Sequence, residues 1–343
     1  MAYCMAPYRN LHVQNGIAKP CCWYNKKYIN NSVEKLADSA AIFHSAEFDA
    51  IRLDPQGCQT CQRHEAAGGK SHRMLWNERE QDTDEVKLTD LDLYMGNLCN
   101  LACVTCDSHN STKWIAEEKK LWGKAGTEKQ KDTDITLSYE LVKDVKRIKL
   151  AGGEVTLMPH HDVFLQQLID FGVAKNIKLV YIVNNTTDPT KFKSLFEQFE
   201  SVEFILSVDG IGKVNDYVRY HSNWKNNNTN IEKTIDMGID VSINSVVSIL
   251  NVYHLPDIIE WWKNRGKIFF RILDYPDHLS IKHLPTNMRQ LCIDRFRDYP
   301  ELDHVTTALY EYPNGSFDNF IKWISVLDKN RNNSWWEINE QFK

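Results

Sequence analysis

Residues 96–106 read GNLCNLACVTC and place Cys99, Cys103 and Cys106 in a C-x3-C-x2-C spacing. A disulfide uses two thiols and structural zinc takes four ligands. Three thiolates can hold three irons of a 4Fe–4S cube and leave the fourth iron open to an outside ligand. Zinc completed by the nearby His109 is the other chemistry this spacing allows.

The chain has nine cysteines, and they are not scattered. Cys4, Cys21, Cys22, Cys58 and Cys61 fall in the first 61 residues, and Cys292 stands alone. Two separated thiols together with the pair in GCQTC can complete a four-thiolate site, filled by a cluster or by structural zinc. Cys4, Cys21, Cys58 and Cys61 are the expected set. Cys21 fits a G-x4-C spacing from Gly16 better than Cys22, which remains a neighbour or a substitute ligand. The leftover thiols, Cys22 and Cys292, are expected to be buried and unliganded.

The elements that must position these groups follow from periodicity. The first 75 residues read as loop-rich, with short helical stretches such as SVEKLADSAAIF, and the charged 77–87 reads as a linker. Six strand-like runs then alternate with helical spacing: 88–95, 147–153, 177–183, 202–208, 241–247 and 267–273. They read as apolar on nearly every residue, as parallel strands covered on both faces would. Six units are too few for a closed eight-stranded barrel. The expected fold class is therefore α/β, a partial (β/α)6 TIM-like barrel over 87–275. Residues 1–86 form a cysteine-rich segment ahead of it, and 276–343 form a helix and loop extension.

Hydrophobic content of 42% and charged content of 25% are those of an ordinary globular protein, and the formal charge of −5 gives no general nucleic-acid or acidic-membrane surface. No apolar run approaches the roughly 20 residues of a membrane span. The opening MAYCMAPYRN lacks a signal-peptide core. A reducing, cytoplasmic setting is expected, in which clustered cysteines serve metal or redox chemistry rather than disulfides.

CNLACVTC after the first strand of a β/α series resembles the signature of radical S-adenosylmethionine enzymes. The resemblance spans roughly 88–275. LAGGE (150–154) is similar to that family's GGE segment, VNN (183–185) to the polar end of its third strand, and SVDG (207–210) to its S-x-D-G. NDYVRY (215–220) is similar to the arginine-bearing segment that follows, and VVSILN (246–251) to the end of the fifth strand. The resemblance implies a cluster on Cys99, Cys103 and Cys106 whose open iron is chelated by S-adenosylmethionine. It also implies cofactor contacts from Gly152, Gly153, Glu154, Asn184, Ser207, Asp209 and Arg219. Glycines let the backbone approach a ligand, Glu154 can accept from an amine, and Arg219 can pair with a carboxylate.

The amino-terminal cysteines resemble the SPASM or twitch auxiliary-cluster modules of that family, which usually follow the barrel rather than precede it. With four thiolates closing every iron, a second 4Fe–4S cluster there is expected to carry electrons. The implied activity is that of an oxidoreductase: reductive cleavage of S-adenosylmethionine to a 5′-deoxyadenosyl radical that takes hydrogen from substrate. The implied reductant is a small carrier such as a flavodoxin or ferredoxin. A peptide or protein substrate follows from the auxiliary module by analogy. A small molecule (nucleoside, sugar or cyclitol) is the alternative substrate, and a non-enzymatic iron–sulfur or zinc protein is the alternative function. No catalytic residue is assigned; Tyr94, Asp107, Arg271 and Asp274 fall at or near strand ends.

Overall fold

In DLDLY (90–94) and RIKLA (147–151) charged residues alternate with leucine and isoleucine, so a strand separates the two kinds onto opposite faces. The computed structural model, which describes residues 3–24, 32–54, 58–66, 69–80, 85–127, 134–312 and 315–343, forms both strands. Leu91, Leu93, Ile148 and Leu150 are buried. On the other face Asp92 Oδ2 lies 2.6 Å from Lys149 Nζ, and Asp90 Oδ1 lies 3.7 Å from Arg147 Nη1. The expectation of strands apolar at nearly every position is therefore corrected here. A charged strand face is tolerated because its charges meet opposite charges on the next strand.

Eight strands form in chain order: β1 Asn10–Gln14, β2 Ile17–Lys19, β3 Asp90–Tyr94, β4 Arg147–Ala151, β5 Lys178–Val183, β6 Ser201–Ser207, β7 Asp240–Val247 and β8 Ile268–Ile272. Their order in the sheet is β2-β1-β3-β4-β5-β6-β7-β8. The last six correspond to the six expected strands, with boundaries moved by one or two residues.

β1 and β2 are an addition that the loop-rich reading missed. They form an antiparallel hairpin closed by Asn15-Gly16, both at positive φ (53° and 68°), as a two-residue turn requires. β1 then pairs in parallel with β3, from Asn10 opposite Asp90 to Gln14 opposite Tyr94. The stretch expected as a linker is in part helix, because His72–Arg79 is helical, started by Ser71 accepting the Met74 N–H. Residues 81–84 of that stretch, and 128–133 of the polar excursion after the cysteine loop, lie outside the described residues.

The chain divides into two compact units interleaved in sequence. One comprises Met1–Leu98, Lys129–Ile182 and Lys191–Glu203. It holds β1 to β4 and β5 as far as Ile182, and its helix His161–Asp170 buries Phe164, Leu165 and Leu168. The other comprises Cys99–Glu128, Val183–Thr190 and Phe204–Lys343. It pairs β7 with β8 in parallel and carries the helices Thr112–Trp122, Trp224–Asp236, Leu255–Trp262, Thr286–Phe296, Asp303–Glu311 and Phe317–Arg331. Its helical carboxyl-terminal part has an aromatic core in which Trp335 packs against Phe320 and Phe342. Among the described residues no helix is long and apolar enough to cross a membrane.

Candidate functional site

The cysteine loop is built on the start of the helix Thr112–Trp122. Ser111 caps that helix through the Lys113 N–H, and its own hydroxyl donates to the Leu101 carbonyl at 2.5 Å. The Thr112 hydroxyl accepts from the Cys99 N–H and donates to the Cys99 carbonyl. Trp114 Nε1 donates to the Cys103 carbonyl at 2.9 Å. Cys99, Leu101 and Cys103 form one buried cluster with Cys106 packed against it. His109 is outside that cluster, its side chain 60% exposed beside Asp107.

Cys99 Sγ accepts from the Leu101 N–H at 3.5 Å and from Asn184 Nδ2 at 3.8 Å. Asn184 also donates to Asn100 Oδ1, and its own oxygen accepts from both the N–H and the hydroxyl of Thr186. Burial pushes the Cys103 thiol up, and Arg219 opposes the shift. Burial, and then the neighbouring Cys103, push Cys106 well up.

Arg219 pairs with Asp209, Nη1 to Oδ2 at 2.8 Å. Burial would lower its pKa, but Cys103 and Asp209 outweigh it and the net direction is up. The other Asp209 oxygen accepts from the Val246 N–H at 2.8 Å, and its carbonyl accepts from Asn251. Both Asp209 oxygens are thus engaged within the fold. Arg219 is turned toward Asp209, and its Nε is buried without a hydrogen-bond partner. Ser207 is half-buried at the end of β6.

In the first unit the GGE segment is threaded into the residues ahead of Cys99. The Gly153 N–H donates to the Gly96 carbonyl at 2.8 Å and the Glu154 N–H to the Leu98 carbonyl at 2.7 Å. A Cβ on Gly153 would fall 2.3 Å from the Leu98 oxygen, and one on Gly152 would fall 2.8 Å from the Gly96 oxygen. Only glycine allows this approach. The Glu154 side chain is fully buried, with Oε1 accepting from the Thr156 hydroxyl at 2.5 Å.

The amino-terminal thiols also converge. Burial raises Cys4 to about 12, and Cys58 and Cys61 add to the shift. Burial raises Cys58 to about 11, with Cys61 adding to it. Cys21 is pushed well up by burial, then by Cys22, Cys4 and Cys58. Cys22 differs: after burial, its strongest influences are Lys149, Asp92 and Lys19 rather than the other thiols. Arg73 lies near this group, lowering Cys4 and Cys58 while paired to Glu65, and its Nη1 is buried without a partner.

Among the described residues no group of three or more His, Cys, Asp or Glu side chains already stands in metal-ligating geometry. The donor chemistry nevertheless fits iron–sulfur clusters at both places. Each has clustered, mostly buried thiols and one arginine with a buried, unused N–H, and the Cys99 sulfur also accepts N–H groups. Thiolate clusters carry negative charge, and N–H donors and nearby cations offset it.

Arg73, Asn100, Trp114 and Arg331 were not singled out from sequence. Arg331 is held bidentately by Glu117 and lies between the Trp114 and Tyr220 rings, at 4.7 and 4.2 Å from their centroids. No local sequence signal marks it, since its partners come from distant segments. Cys292 is fully buried in the helix Thr286–Phe296, apart from both thiol groups in sequence.

No family model and no curated protein matches the chain. Among solved structures it is similar to anSMEcpe with bound AdoMet, with a TM-score of 0.43 and 15% identity over 66% of this chain and 60% of that one. It is also similar to SuiB of Streptococcus suis bound to the precursor peptide SuiA, with a TM-score of 0.42 and 14% identity over 74% of this chain and 61% of that one. A structure of SuiB bound to S-adenosylmethionine gives 0.40 and 14% over 81% and 65%. The chain spans less than two thirds of the length of each.

Proposed function

We propose that this chain is a radical S-adenosylmethionine oxidoreductase. Its reactive centre would lie on a partial (β/α)6 barrel over 87–275, with an auxiliary-cluster segment at 1–86 and a helical extension at 276–343. The observation that supports the reading most is the packing of Cys106 against the buried Cys99 and Cys103, beside an arginine whose buried Nε has no hydrogen-bond partner. Cys99, Cys103 and Cys106 would hold a 4Fe–4S cluster, and Cys4, Cys21, Cys58 and Cys61 an auxiliary one. Bound there, the cluster and S-adenosylmethionine supply a 5′-deoxyadenosyl radical by reductive opening of a carbon–sulfur bond.

The remaining roles belong to the chain itself. Burial of the cysteine loop excludes water from a reactive centre. Gly152 and Gly153 let the backbone come close to a ligand. Glu154 offers a carboxylate to the cofactor amine, and Asn184 and Ser207 offer hydrogen bonds to its ribose. Arg219, held in place by Asp209, would offset the negative charge of the thiolates beside Cys103. The reductant would be a flavodoxin or ferredoxin, and the substrate a peptide or protein. The test is anaerobic reconstitution, dithionite reduction and quantification of 5′-deoxyadenosine. Release by the native chain, and none by a variant with Cys99, Cys103 and Cys106 all replaced by alanine, is expected. A triple variant that still releases 5′-deoxyadenosine would refute the assignment.

A further inference from the structure

The charged face of β1, β3 and β4 does not close on itself. Between it and the helix His72–Arg79 lies a cavity of about 150 Å3, whose lining includes Asn10, His72, Arg79, Asp92, Arg147 and Lys149. Three permanent cations meet two aspartates here, and Arg79 Nε also has Glu80 Oε1 at 3.1 Å, which leaves Arg147 and Lys149 to share the remaining charge. Arg79 Nη2 is 3.0 Å and Arg147 Nη1 3.7 Å from Asp90, and Lys149 Nζ is 2.6 Å from Asp92, which also has His12 Nδ1 at 3.1 Å. Arg147 is the least satisfied. Among the described residues its guanidinium makes no hydrogen bond, and its one ionic neighbour is at 3.7 Å. Its side chain is 30% exposed and lines the cavity. Arg79 is held flat against the Trp76 ring, 3.8 Å from its centroid. Burial lowers His72 to about 4, so it adds no charge near neutrality.

The geometry points to an oxyanion-recognition site in this cavity, taking a carboxylate or phosphate group of the substrate on the Arg147 fork with Lys149 and Arg79 beside it. A planar guanidinium with free N–H groups matches either anion with two parallel hydrogen bonds. The inference rests on the enzymatic reading above, because it makes the anion a handle on the molecule being modified. The same strand carries both features: β4 holds Arg147 and Lys149 and runs directly into Gly152, Gly153 and Glu154. At about 3.3 Å per residue, Lys149 and Gly152 are roughly 10 Å apart along the chain. A substrate anchored by its anionic group would thus be held a fixed distance from the GGE segment.

The test is calorimetric titration of the full chain, without S-adenosylmethionine, using inorganic phosphate and succinate at constant ionic strength. Saturable binding of at least one anion is expected, and the tighter of the two identifies the phosphate or carboxylate source. Arg147→Gln and Lys149→Gln should each weaken it at least tenfold, while Arg297→Gln, on an exposed side chain elsewhere, should leave it unchanged. If Arg147→Gln does not fold, Arg147→Lys, which keeps the charge and loses the fork, should still show a clear loss. Absence of saturable binding by both anions, or equal binding in the cavity variants and Arg297→Gln, overturns the site. A chain that binds anion but releases no 5′-deoxyadenosine keeps this site and loses the proposed function. One that releases it without binding either anion loses only the site.

Discussion

Cys103 and Arg219 stand opposite each other inside a two-bond backbone bracket. The Ala102 N–H donates to the Tyr220 carbonyl at 3.0 Å and the Val104 N–H to the Val218 carbonyl at 2.7 Å. The residues on each side of Cys103 are thus tied to the residues on each side of Arg219. The arginine's place beside the thiol is set by main-chain hydrogen bonds and not by its flexible side chain. The Asp209 pair then holds the guanidinium in place.

Replacing Arg219 with glutamine should therefore do more than remove one contact. Asp209 is 1% exposed, and its carboxylate would lose its cation. Breaking a buried pair from one side destabilises by roughly 3–5 kcal/mol. Arg219→Lys keeps a charge but a shorter reach, and should fall between the native chain and Arg219→Gln. Urea unfolding of the three proteins checks the order, and a loss in Arg219→Gln no larger than in Arg297→Gln would make the pair energetically idle.

Gly153→Ala should damage the site through the backbone. Its new Cβ would meet the Leu98 oxygen and carbon and the Asn97 carbon at 2.3, 2.7 and 2.8 Å. No side-chain rotation relieves contacts with main-chain atoms, so the stretch leading into Cys99 must shift. Overpacking of this kind costs roughly 1–3 kcal/mol. The expected result is a lowered unfolding midpoint together with weakened S-adenosylmethionine binding by calorimetry. Native values for both would mean that the approach of the two segments is not required.

The sequence made the strand series legible because each strand is a short run bounded by turn residues, and the cysteine loop because its spacing is local. The β1–β2 hairpin has a local signal as well, Asn15-Gly16, but its strands are short and set among cysteines and turn residues. What sequence could not show was pairing across distance. Asp90 and Asp92 look like interruptions of a strand until Arg147, Lys149 and His12 are placed opposite them. Arg219 read as a ligand for a carboxylate, and the carboxylate the structure gives it is that of Asp209.

The amino-terminal thiols predict an iron count. With both sites filled, anaerobically reconstituted chain should carry about eight irons, and Cys58→Ala with Cys61→Ala about four. Cys22→Ser should keep the full count, because Cys22 lies under the influence of Lys149, Asp92 and Lys19, whereas Cys21 couples to Cys4 and Cys58. A fall to about four irons in Cys22→Ser, with Cys21→Ser unaffected, would exchange the two ligands. Zinc at one per chain under every purification would make the segment a structural cap.

His72 predicts a pH dependence of stability. Burial lowers its pKa from 6.5 to about 4, and Lys149 adds to that while Asp92 opposes it. Its Nδ1 is buried without a hydrogen-bond partner, and its ring lies 5.6 Å from the Trp23 ring. Below pH 6.5 the unfolded chain takes up a proton at this histidine while the folded chain resists it until about pH 4. Stability is therefore full above 6.5 and falls as the pH drops toward 4. The linkage is worth at most roughly 3 kcal/mol. His72→Gln cannot take up that proton, so its urea midpoint should vary less with pH across this window than that of the native chain. The gap between the two curves should therefore change across this window by up to that amount, the native chain losing relative stability as the pH falls. Parallel curves across the whole window would mean that His72 titrates as it does in the unfolded chain.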